Sequence, residues 1–404
     1  MRVAVVGGGL AGLAAALDLL DAGADVTLYE ARPTLGGAVQ TLPERDDDPK
    51  PPPDNGQHIA LGCFTEYLRF LDRVGEGRSI LRERLALPVI DEESRRADIA
   101  PSPRAILGYA HLPLRDRLRL PLTLVRLRAA QSQPSETFGD LLRRVGESDT
   151  SITRFWDVFI RPALNLRTDE VDAGAGLFTV RTALLGPRAS SDLVLPLKPL
   201  GRMHGDAAAR VLGDRVRLDA KVDSLDDLDA DAIVVATPPA ESARLLGEPD
   251  PGLESSPIVS VHLLFDRPLL RAPLAALLGS DAHWVFDRGA LTGHEAPGGG
   301  QYLTVVSSGV PELREIRGRG LVERIAGQLT GRLGRAELVW SRVSREPNAT
   351  VALRPGVVRP GAATSRRDVV RAGTWTDTGW PATMESAVRS GRSAARRVLD
   401  TFPV

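Results

Sequence analysis

Three glycines near the start of the chain have the spacing of a phosphate-binding turn. Gly7, Gly9 and Gly12 form a G-x-G-x-x-G pattern between the apolar run RVAVVG and the helical segment LAGLAAALDLLDAG. The first glycine allows a tight turn, the second lets the main chain approach a pyrophosphate, and the third permits close packing of helix on strand. Free N–H groups at the helix start stabilise the phosphates. The pattern predicts a dinucleotide site.

Glu30 supplies the acid that such a site uses. It ends the predicted strand DVTLYE and lies 18 positions after Gly12, close to the separation at which a carboxylate meets a ribose hydroxyl. A carboxylate there disfavours NADP, because it would repel a 2′-phosphate. Strand, glycines, helix, second strand and acid together indicate a βαβ unit. The alternative is a unit of the same shape that binds no nucleotide.

The segment after this strand indicates which dinucleotide to expect. Residues 30–37, EARPTLGG, resemble the E-A-R-x-x-x-G-G stretch of the FAD-dependent amine oxidase and phytoene desaturase superfamily. In that superfamily the loop runs past the cofactor towards the flavin, so the resemblance implies FAD rather than a dissociable nicotinamide. The cofactor-binding residues that we expect in this half of the site are Gly7, Gly9, Leu10, Ala11, Gly12, Glu30, Ala31, Arg32, Gly36, Gly37, Ala38 and Val222.

A second signal lies near the other end of the chain, in AGTWTDTGWPATMESAVRSG. A strand end and Gly373 precede a helix that we expect to begin at about Thr383, where free N–H groups can stabilise the negative charge of a reduced flavin. In the superfamily Thr383 and Met384 match positions beside the flavin. Many relatives carry an acid directly after the glycine, whereas this chain has Thr374, so altered cofactor contacts are expected there. The alternative is a plain C-terminal capping helix.

Two further segments narrow the resemblance. DNGQH at 54–58 and SDLVLP at 191–196, taken with TDTGWPATMESAVRSG, resemble the squalene-associated FAD-dependent desaturases, the hydroxysqualene dehydroxylases. The resemblance implies an oxidoreductase of squalene and hopanoid biosynthesis that removes the hydroxyl of hydroxysqualene with FADH2 as reductant. The expected partner is a long-chain isoprenoid substrate, and the reductase that serves FAD is left open.

That chemistry needs a positioned acid, because an allylic hydroxyl must be protonated before it leaves as water. His58 and Asp54 are the candidates, with Gln57 orienting the hydroxyl or the flavin edge. Each has a structural alternative. His58 could be a loop histidine bonded to the backbone, and Asp-Asn-Gly favours a turn in its own right.

Other functions compete with this one. A carotenoid or phytoene-type desaturase would run the flavin in the oxidative direction, and an amine oxidase would surround an amine with aromatic rings. The C-terminal motif offers Trp375 and Trp380 rather than a pair of tyrosines, which disfavours the amine oxidase. A non-catalytic isoprenoid escort that has lost flavin is disfavoured by the retained glycines and acid.

Periodicity predicts the elements that hold these residues. Residues 43–54 are expected to form a polar surface loop, and residues 65–190 a largely helical insertion. Within this insertion, the aromatic segment SITRFWDVFI could equally line a hydrocarbon tunnel or form a core face. ADAIVVATPP is typical of a buried parallel strand that ends in a proline turn. Several alternating runs between 255 and 310 predict an antiparallel sheet.

The predicted fold class is therefore α/β: a Rossmann-type FAD-binding domain built from discontinuous segments, with a substrate domain that combines an antiparallel sheet and the helical insertion. Residues 1–64, 200–250 and 350–404 are assigned to the FAD-binding domain, and residues 65–199 and 251–349 to the substrate domain. This layout is that of the amine oxidase superfamily.

Composition limits the remaining possibilities. A formal net charge of −1 argues against electrostatic binding of nucleic acid. Cys63 is the single cysteine, so neither an intramolecular disulfide nor a cysteine-based metal site is expected, and the histidines lack the spacing of metal ligands. The sequence has no apolar stretch long enough to predict a helix that spans a membrane. We expect a cytoplasmic protein, with peripheral contact at the inner face of a membrane left open.

Overall fold

The computed structural model describes residues 1–402 and has the predicted α/β architecture. Its strands are β1 (Arg2–Val6), β2 (Asp25–Tyr29), β3 (Ala60–Leu61), β4 (Ile80–Glu83), β5 (Leu87–Ile90), β6 (Arg96–Ile99), β7 (Leu193–Pro196), β8 (Val216–Arg217), β9 (Ala232–Val235), β10 (Ser255–Phe265), β11 (Leu274–Leu277), β12 (Trp284–Asp287), β13 (Gln301–Ser308), β14 (Leu338–Val351) and β15 (Val369–Arg371).

The helices lie between these strands, and a π-helical turn at Ile152–Trp156 joins α6 to α7. The helices are α1 (Leu10–Asp21), α2 (Thr65–Arg73), α3 (Pro103–Gly108), α4 (Leu114–Ala129), α5 (Phe138–Arg144), α6 (Asp149–Ser151), α7 (Asp157–Leu164), α8 (Ala173–Ala183), α9 (Leu200–Met203), α10 (Gly205–Leu212), α11 (Pro239–Leu246), α12 (Arg288–Thr292), α13 (Pro311–Glu315), α14 (Arg319–Leu333) and α15 (Met384–Thr401).

A five-stranded parallel sheet carries the glycine-rich loop. Its strand order is β15-β9-β1-β2-β8, so pieces from the beginning, middle and end of the chain lie side by side. The central strand β1 pairs with β2 and β9 and is buried from Val3 to Val6. Apolar residues suit it because a parallel sheet is covered on both faces. The predicted strand-helix-strand unit at the start of the chain is confirmed.

Helix α1 lies close to both β1 and α15. A Cβ on Gly12 would lie 1.9 Å from the carbonyl oxygen of Gly7, and a Cβ on Gly391 would lie 2.0 Å from the carbonyl oxygen of Ala11. Since real Cβ atoms do not approach oxygens so closely, these backbones touch only where the side chain is a hydrogen atom. Gly391 thus joins the last helix of the chain to the first.

The seven-stranded sheet has the order β14-β10-β13-β12-β11-β5-β6, and its two faces differ. Odd-numbered residues of β10 and β13, such as Val261 and Val305, pack with α14 in an apolar core. On the other face, His262 lies opposite Thr304 on β13 and Arg342 on β14. Side chains alternate between faces along a strand, so this second face is polar.

Two sequence predictions hold only in part. Residues 80–99 are not helical, because β5 and β6 form a hairpin that extends the seven-stranded sheet and β4 pairs with β7. Such short strands carry too little periodicity to be recognised. The loop at 43–54 is not purely a surface loop either. Asp48 and Asp54 are buried, since Arg342 of β14 pairs with Asp48 and Arg288, the first residue of α12, pairs with Asp54.

The predicted domain boundaries stay a prediction. The five strands of the parallel sheet lie within the segments assigned to the FAD-binding domain, and residues 403–404 of that assignment lie outside the described part of the chain. Helix α2, assigned to the substrate domain, packs with its Tyr67 and Leu71 in the same core as α1 and α15.

We predict that Gly391→Ala lowers the free energy of unfolding by about 1–3 kcal/mol, because the new methyl group must push α15 away from α1. Urea unfolding followed by circular dichroism measures the change. Gly327→Ala is the matched control: this exposed glycine of α14 has open space at its Cβ, so the substitution should raise stability by about 0.5–1 kcal/mol. Equal effects of the two changes would contradict the packing argument.

Candidate functional site

The glycine-rich loop forms the first part of the candidate site. Gly7 has φ of +106°, a conformation that favours glycine. Gly9 is the N-cap of α1 and offers no side chain, so no side chain caps the first turn, where Leu10 and Ala11 lie. The N–H groups of this turn therefore point out of the helix without a side-chain acceptor, as a phosphate site requires.

A second glycine pair covers this turn. The N–H of Gly36 donates to the carbonyl oxygen of Gly8 at 2.8 Å, and a Cβ on Gly37 would lie 3.0 Å from Cα of Gly9. Gly36 and Gly37 have φ of +113° and +61°. Ala38, the exposed residue that follows, accepts a hydrogen bond from the Asn55 amide at 3.4 Å. This loop connects the glycine turn to the DNGQH segment.

Glu30 lies just beyond the end of β2, beside the glycine turn. Its carboxylate accepts hydrogen bonds from the N–H groups of Gly8 at 2.7 Å and of Arg32 at 2.9 Å. Ala31 and Arg32 are exposed. Val222 is buried in the small core on the other face of the sheet, with its carbonyl oxygen bonded to Arg244. The structure thus brings all of these residues to the end of β1 and β2 or its immediate surroundings.

The C-terminal motif begins after β15. Gly373 has φ of +151°, and its N–H donates to the Ser390 hydroxyl at 2.9 Å. Thr374, half-buried, accepts from Arg359 through its carbonyl oxygen. Thr383 is the N-cap of α15, as the sequence predicted, and Met384 is the first residue of that helix.

Thr237, which the sequence analysis did not single out, fits the same site. Its hydroxyl is buried and lacks a hydrogen-bond partner among residues 1–402. A Cβ on Gly7 would lie 3.3 Å from its N atom, and its carbonyl oxygen accepts from the Trp375 indole at 3.0 Å. An unpaired buried hydroxyl between both halves of the motif suits a polar cofactor. The residues present therefore fit a dinucleotide.

Asp54 of the DNGQH segment is held by three donors. Arg288 donates to one carboxylate oxygen at 2.7 Å, and the Thr41 hydroxyl and the Leu200 N–H donate to the other at 2.7 and 2.9 Å. Both side chains of the ion pair are buried. Breaking such a pair would leave an uncompensated charge in the interior. Asp54 thus fixes the segment, and its partner Arg288 lies far away in the sequence, where no local pattern could reveal it.

Gln57 and His58 follow on the same loop. Gln57 is buried and lies 3.5 Å from the Arg288 guanidinium. Nδ1 of His58 lies 2.9 Å from the carbonyl oxygen of Gly56. Burial lowers the pKa of His58 below its usual value, although that carbonyl and the charge of Asp54 act in the opposite direction. His58 is therefore a neutral imidazole at neutral pH.

Beneath this loop lies a buried polar cluster on the sheet face. It consists of buried atoms without a hydrogen-bond partner among the described residues: His262 Nε2, Tyr302 Oη, Ser260 Oγ and Arg288 Nε. Burial, together with the charges of Arg288 and Arg342, lowers the pKa of His262 to about 3. Burial also raises the pKa of Tyr302. Buried polar groups of this kind are ordinarily satisfied by ordered water.

Three half-buried aromatic rings meet beside the C-terminal motif. Trp380 packs edge-on against Phe64, at 6.0 Å between ring centroids, and against Phe178, at 5.0 Å. These rings come from the loop before α15, the start of α2 and α8. Trp156 is fully buried and packs against Phe138, so it belongs to the core of the helical insertion. Only tertiary packing distinguishes these two groups of rings.

Known proteins resemble this chain over almost its full length. The chain is 28% identical to the hydroxysqualene dehydroxylase of Rhodopseudomonas palustris, in an alignment that covers 98% of each chain. It is 24% identical to the zeta-carotene desaturase of Synechocystis, over 99% of this chain and 97% of that one. An oxidoreductase from Methanosarcina mazei has the same fold, with a TM-score of 0.76 at 18% identity over 98% of this chain and 100% of the other.

Fold and site together define an FAD-dependent oxidoreductase. Residues 10–399 match the family model described as flavin containing amine oxidoreductase. The chain belongs to this family, and FAD is its cofactor. Across the described residues, every helix is too short or too polar to cross a membrane.

We predict that Glu30→Ala weakens FAD binding about 10- to 100-fold, because it removes both the expected ribose partner and the acceptor that orders the Gly8 N–H. Fluorescence titration of the apoprotein with FAD measures the dissociation constant. Asp25→Ala, an exposed acid at the other end of the same strand, is the control and should leave the constant unchanged. Full retention of affinity in Glu30→Ala would remove Glu30 from the cofactor site.

Buried histidines predict acid sensitivity of the fold. Burial lowers the pKa of His204 to about 4 and those of His262 and His283 to about 3. As the pH falls below about 6.5, the unfolded chain therefore takes up protons before the folded one does. Their contribution to stability is complete above that pH and is lost as the pH falls towards these depressed values.

We therefore expect the free energy of unfolding, measured by urea titration at a series of pH values, to fall between about pH 6.5 and pH 4. His262→Gln should make this dependence shallower, because one of the three groups no longer titrates. The exposed His294→Gln is the control. A pH dependence that is the same in both variants would show that His262 makes no such contribution.

Proposed function

We propose that the protein removes the hydroxyl of a long-chain isoprenoid alcohol of the hydroxysqualene type and releases the hydrocarbon and water. The relative of that name, matched over 98% of both chains, supports the substrate class. In this reaction the C–O bond breaks, the leaving oxygen takes up a proton, and a C–H bond forms at the same carbon. When bound, reduced FAD supplies the hydride for that bond.

The observation that carries the proposal is the orientation of His58. Its Nδ1 bonds to the carbonyl oxygen of Gly56, which can only accept, so Nδ1 carries the proton of the neutral ring. Nε2 makes no hydrogen bond within residues 1–402 and is the ring atom left to hold a second proton and deliver it to the departing hydroxyl. The depressed pKa makes the protonated ring a stronger acid.

Asp54 and Gln57 act as positioning residues in this proposal. All the acceptor contacts of Asp54 are directed to Arg288, Thr41 and Leu200, so its carboxylate secures the loop rather than meeting the substrate. Gln57 shares the Arg288 guanidinium with it. The loop that carries His58 is therefore anchored to three other parts of the chain, which reduces the reorganisation needed to hold a proton in place.

The ring cluster of Phe64, Phe178 and Trp380 suits the remainder of such a substrate. Half-buried aromatic surfaces can hold a hydrocarbon without leaving polar groups unpaired. The site offers fewer aromatic contacts to an amine substrate, because the Trp375 ring is buried and its N–H already donates to the carbonyl oxygen of Thr237.

The second candidate is a desaturase that acts on a carotenoid-type polyene. The full-length match to a zeta-carotene desaturase favours it over other oxidative reactions. Anaerobic incubation of the protein carrying reduced FAD with hydroxysqualene, and of the oxidised protein with phytoene, separates the two. Squalene from the first supports the dehydroxylase. Dehydrogenated product from the second alone supports the desaturase.

We predict that His58→Ala retains FAD but slows dehydroxylation by about two to four orders of magnitude. Single-turnover formation of squalene measures the rate, and the flavin absorbance confirms cofactor content. His294→Ala is a close control, because His294 makes the same local bond, from Nδ1 to the carbonyl oxygen two residues earlier, on an exposed loop. An unchanged rate in His58→Ala would assign His58 a structural role only.

The same assay predicts a pH dependence. Because the protonated imidazole is the acid, the single-turnover rate should fall as the pH rises through the depressed pKa of His58. His58→Ala should lose this limb of the profile, whereas His294→Ala should keep it. Retention of the limb in His58→Ala would place the acid elsewhere.

A further inference from the structure

Helix α4 exposes an apolar stripe. Its four apolar residues follow one another at intervals of four, four and three positions: Leu114, Leu118, Leu122 and Val125. Each of these side chains is between 49% and 64% exposed. Leu107 on the neighbouring α3 is also exposed. Together these make five of the nine large apolar side chains exposed among residues 1–402, so this surface, here called the α3–α4 stripe, concentrates them.

The stripe lies opposite the face by which α4 is anchored. Leu120, Thr123 and Leu127 are buried with the core of the helical insertion. At about 100° per residue, these positions lie on the far side of the helix from Leu118 and Val125. Both sides of α4 are thus apolar: one packs on the protein, and the other is exposed to solvent. A helix that only covered a core would have a polar outer face.

The charges around the stripe have one sign. Residues 99–135 contain six arginines and a single acid, Asp116, in a chain whose formal net charge is −1. Asp116 is buried. Three exposed arginines flank the stripe: Arg115, Arg119 and Arg128. Because residues 99–135 contain no exposed acid, the edges of the stripe are positively charged.

We propose that the α3–α4 stripe docks the protein on the surface of a bilayer that contains anionic lipids. The leucines enter the boundary between headgroups and acyl chains, and the flanking arginines bind anionic headgroups, which is how an interfacial amphipathic helix associates with a membrane. Charge complementarity selects this partner, because a second copy of the chain would bring the same arginines against one another.

The position of α4 connects this surface to the ring cluster. Arg181 on α8 donates hydrogen bonds to the carbonyl oxygens of Leu127 at 2.9 Å and of Ala130, at the end of α4. Helix α8 also carries Phe178 of the ring cluster. Helix α8 therefore contacts both the end of α4 and the ring cluster. The docking itself does not rest on the proposed reaction.

The test is sedimentation of the FAD-loaded protein with vesicles of phosphatidylglycerol and phosphatidylcholine, and with vesicles of phosphatidylcholine alone. We expect binding to the anionic vesicles that weakens as salt is raised. Leu118→Glu/Leu122→Glu should reduce the partition coefficient by about tenfold or more. Arg119→Ala/Arg128→Ala should also weaken binding and flatten its salt dependence.

Val339→Glu/Val358→Glu is the matched control, because it replaces exposed apolar residues outside the stripe and should bind as the unaltered protein does. All variants should keep their flavin absorbance and their activity on detergent-dispersed substrate, since none of these residues lies in the site. Binding that is the same in the stripe and control variants overturns the proposal. A second result would also overturn it. The unaltered protein would be a dimer by light scattering and would not bind vesicles, and the stripe variant would be a monomer.

Discussion

The structure depends on two close contacts that α1 makes through backbone atoms. Gly12 lets the helix lie against Gly7 at the end of β1, and Gly391 lets α15 lie against Ala11. The first contact shapes the turn whose N–H groups face the cofactor. The second brings the C-terminal motif to the same edge of the sheet. A single helix thereby assembles one site from residues that are more than 350 positions apart in the chain.

A second constraint is electrostatic and ties the DNGQH loop to the seven-stranded sheet. Asp54 pairs with Arg288 and Asp48 pairs with Arg342, and all four side chains are buried. Ion pairs so far from water contribute little to net stability, yet removal of either partner is costly. Their effect is to fix where the loop lies. His58 therefore has a defined position although it belongs to a segment without regular structure on its own.

The reaction that we propose would use two kinds of surface in this fold. The cofactor residues lie at the end of the parallel sheet, and the polar face belongs to the seven-stranded sheet. The ring cluster joins the start of α2, helix α8 and the loop before α15. A hydrophobic substrate needs both an apolar wall and a proton source, and these properties conflict in a single environment. The fold separates them, with aromatic rings beside α15 and charged pairs beneath the loop.

The sequence by itself determined the βαβ unit, the cap of α15 at Thr383 and the resemblance to flavin enzymes, because local spacing and periodicity encode them. It also identified DNGQH as a segment of interest. Only the tertiary structure decided that Asp54 has Arg288 as its partner and that Thr237 lies between Gly7 and Trp375. It also decided that residues 80–99 join a sheet and that the outer face of α4 is apolar. These features depend on contacts between distant segments or on which side of a helix packs against the protein. Local sequence patterns do not determine such contacts.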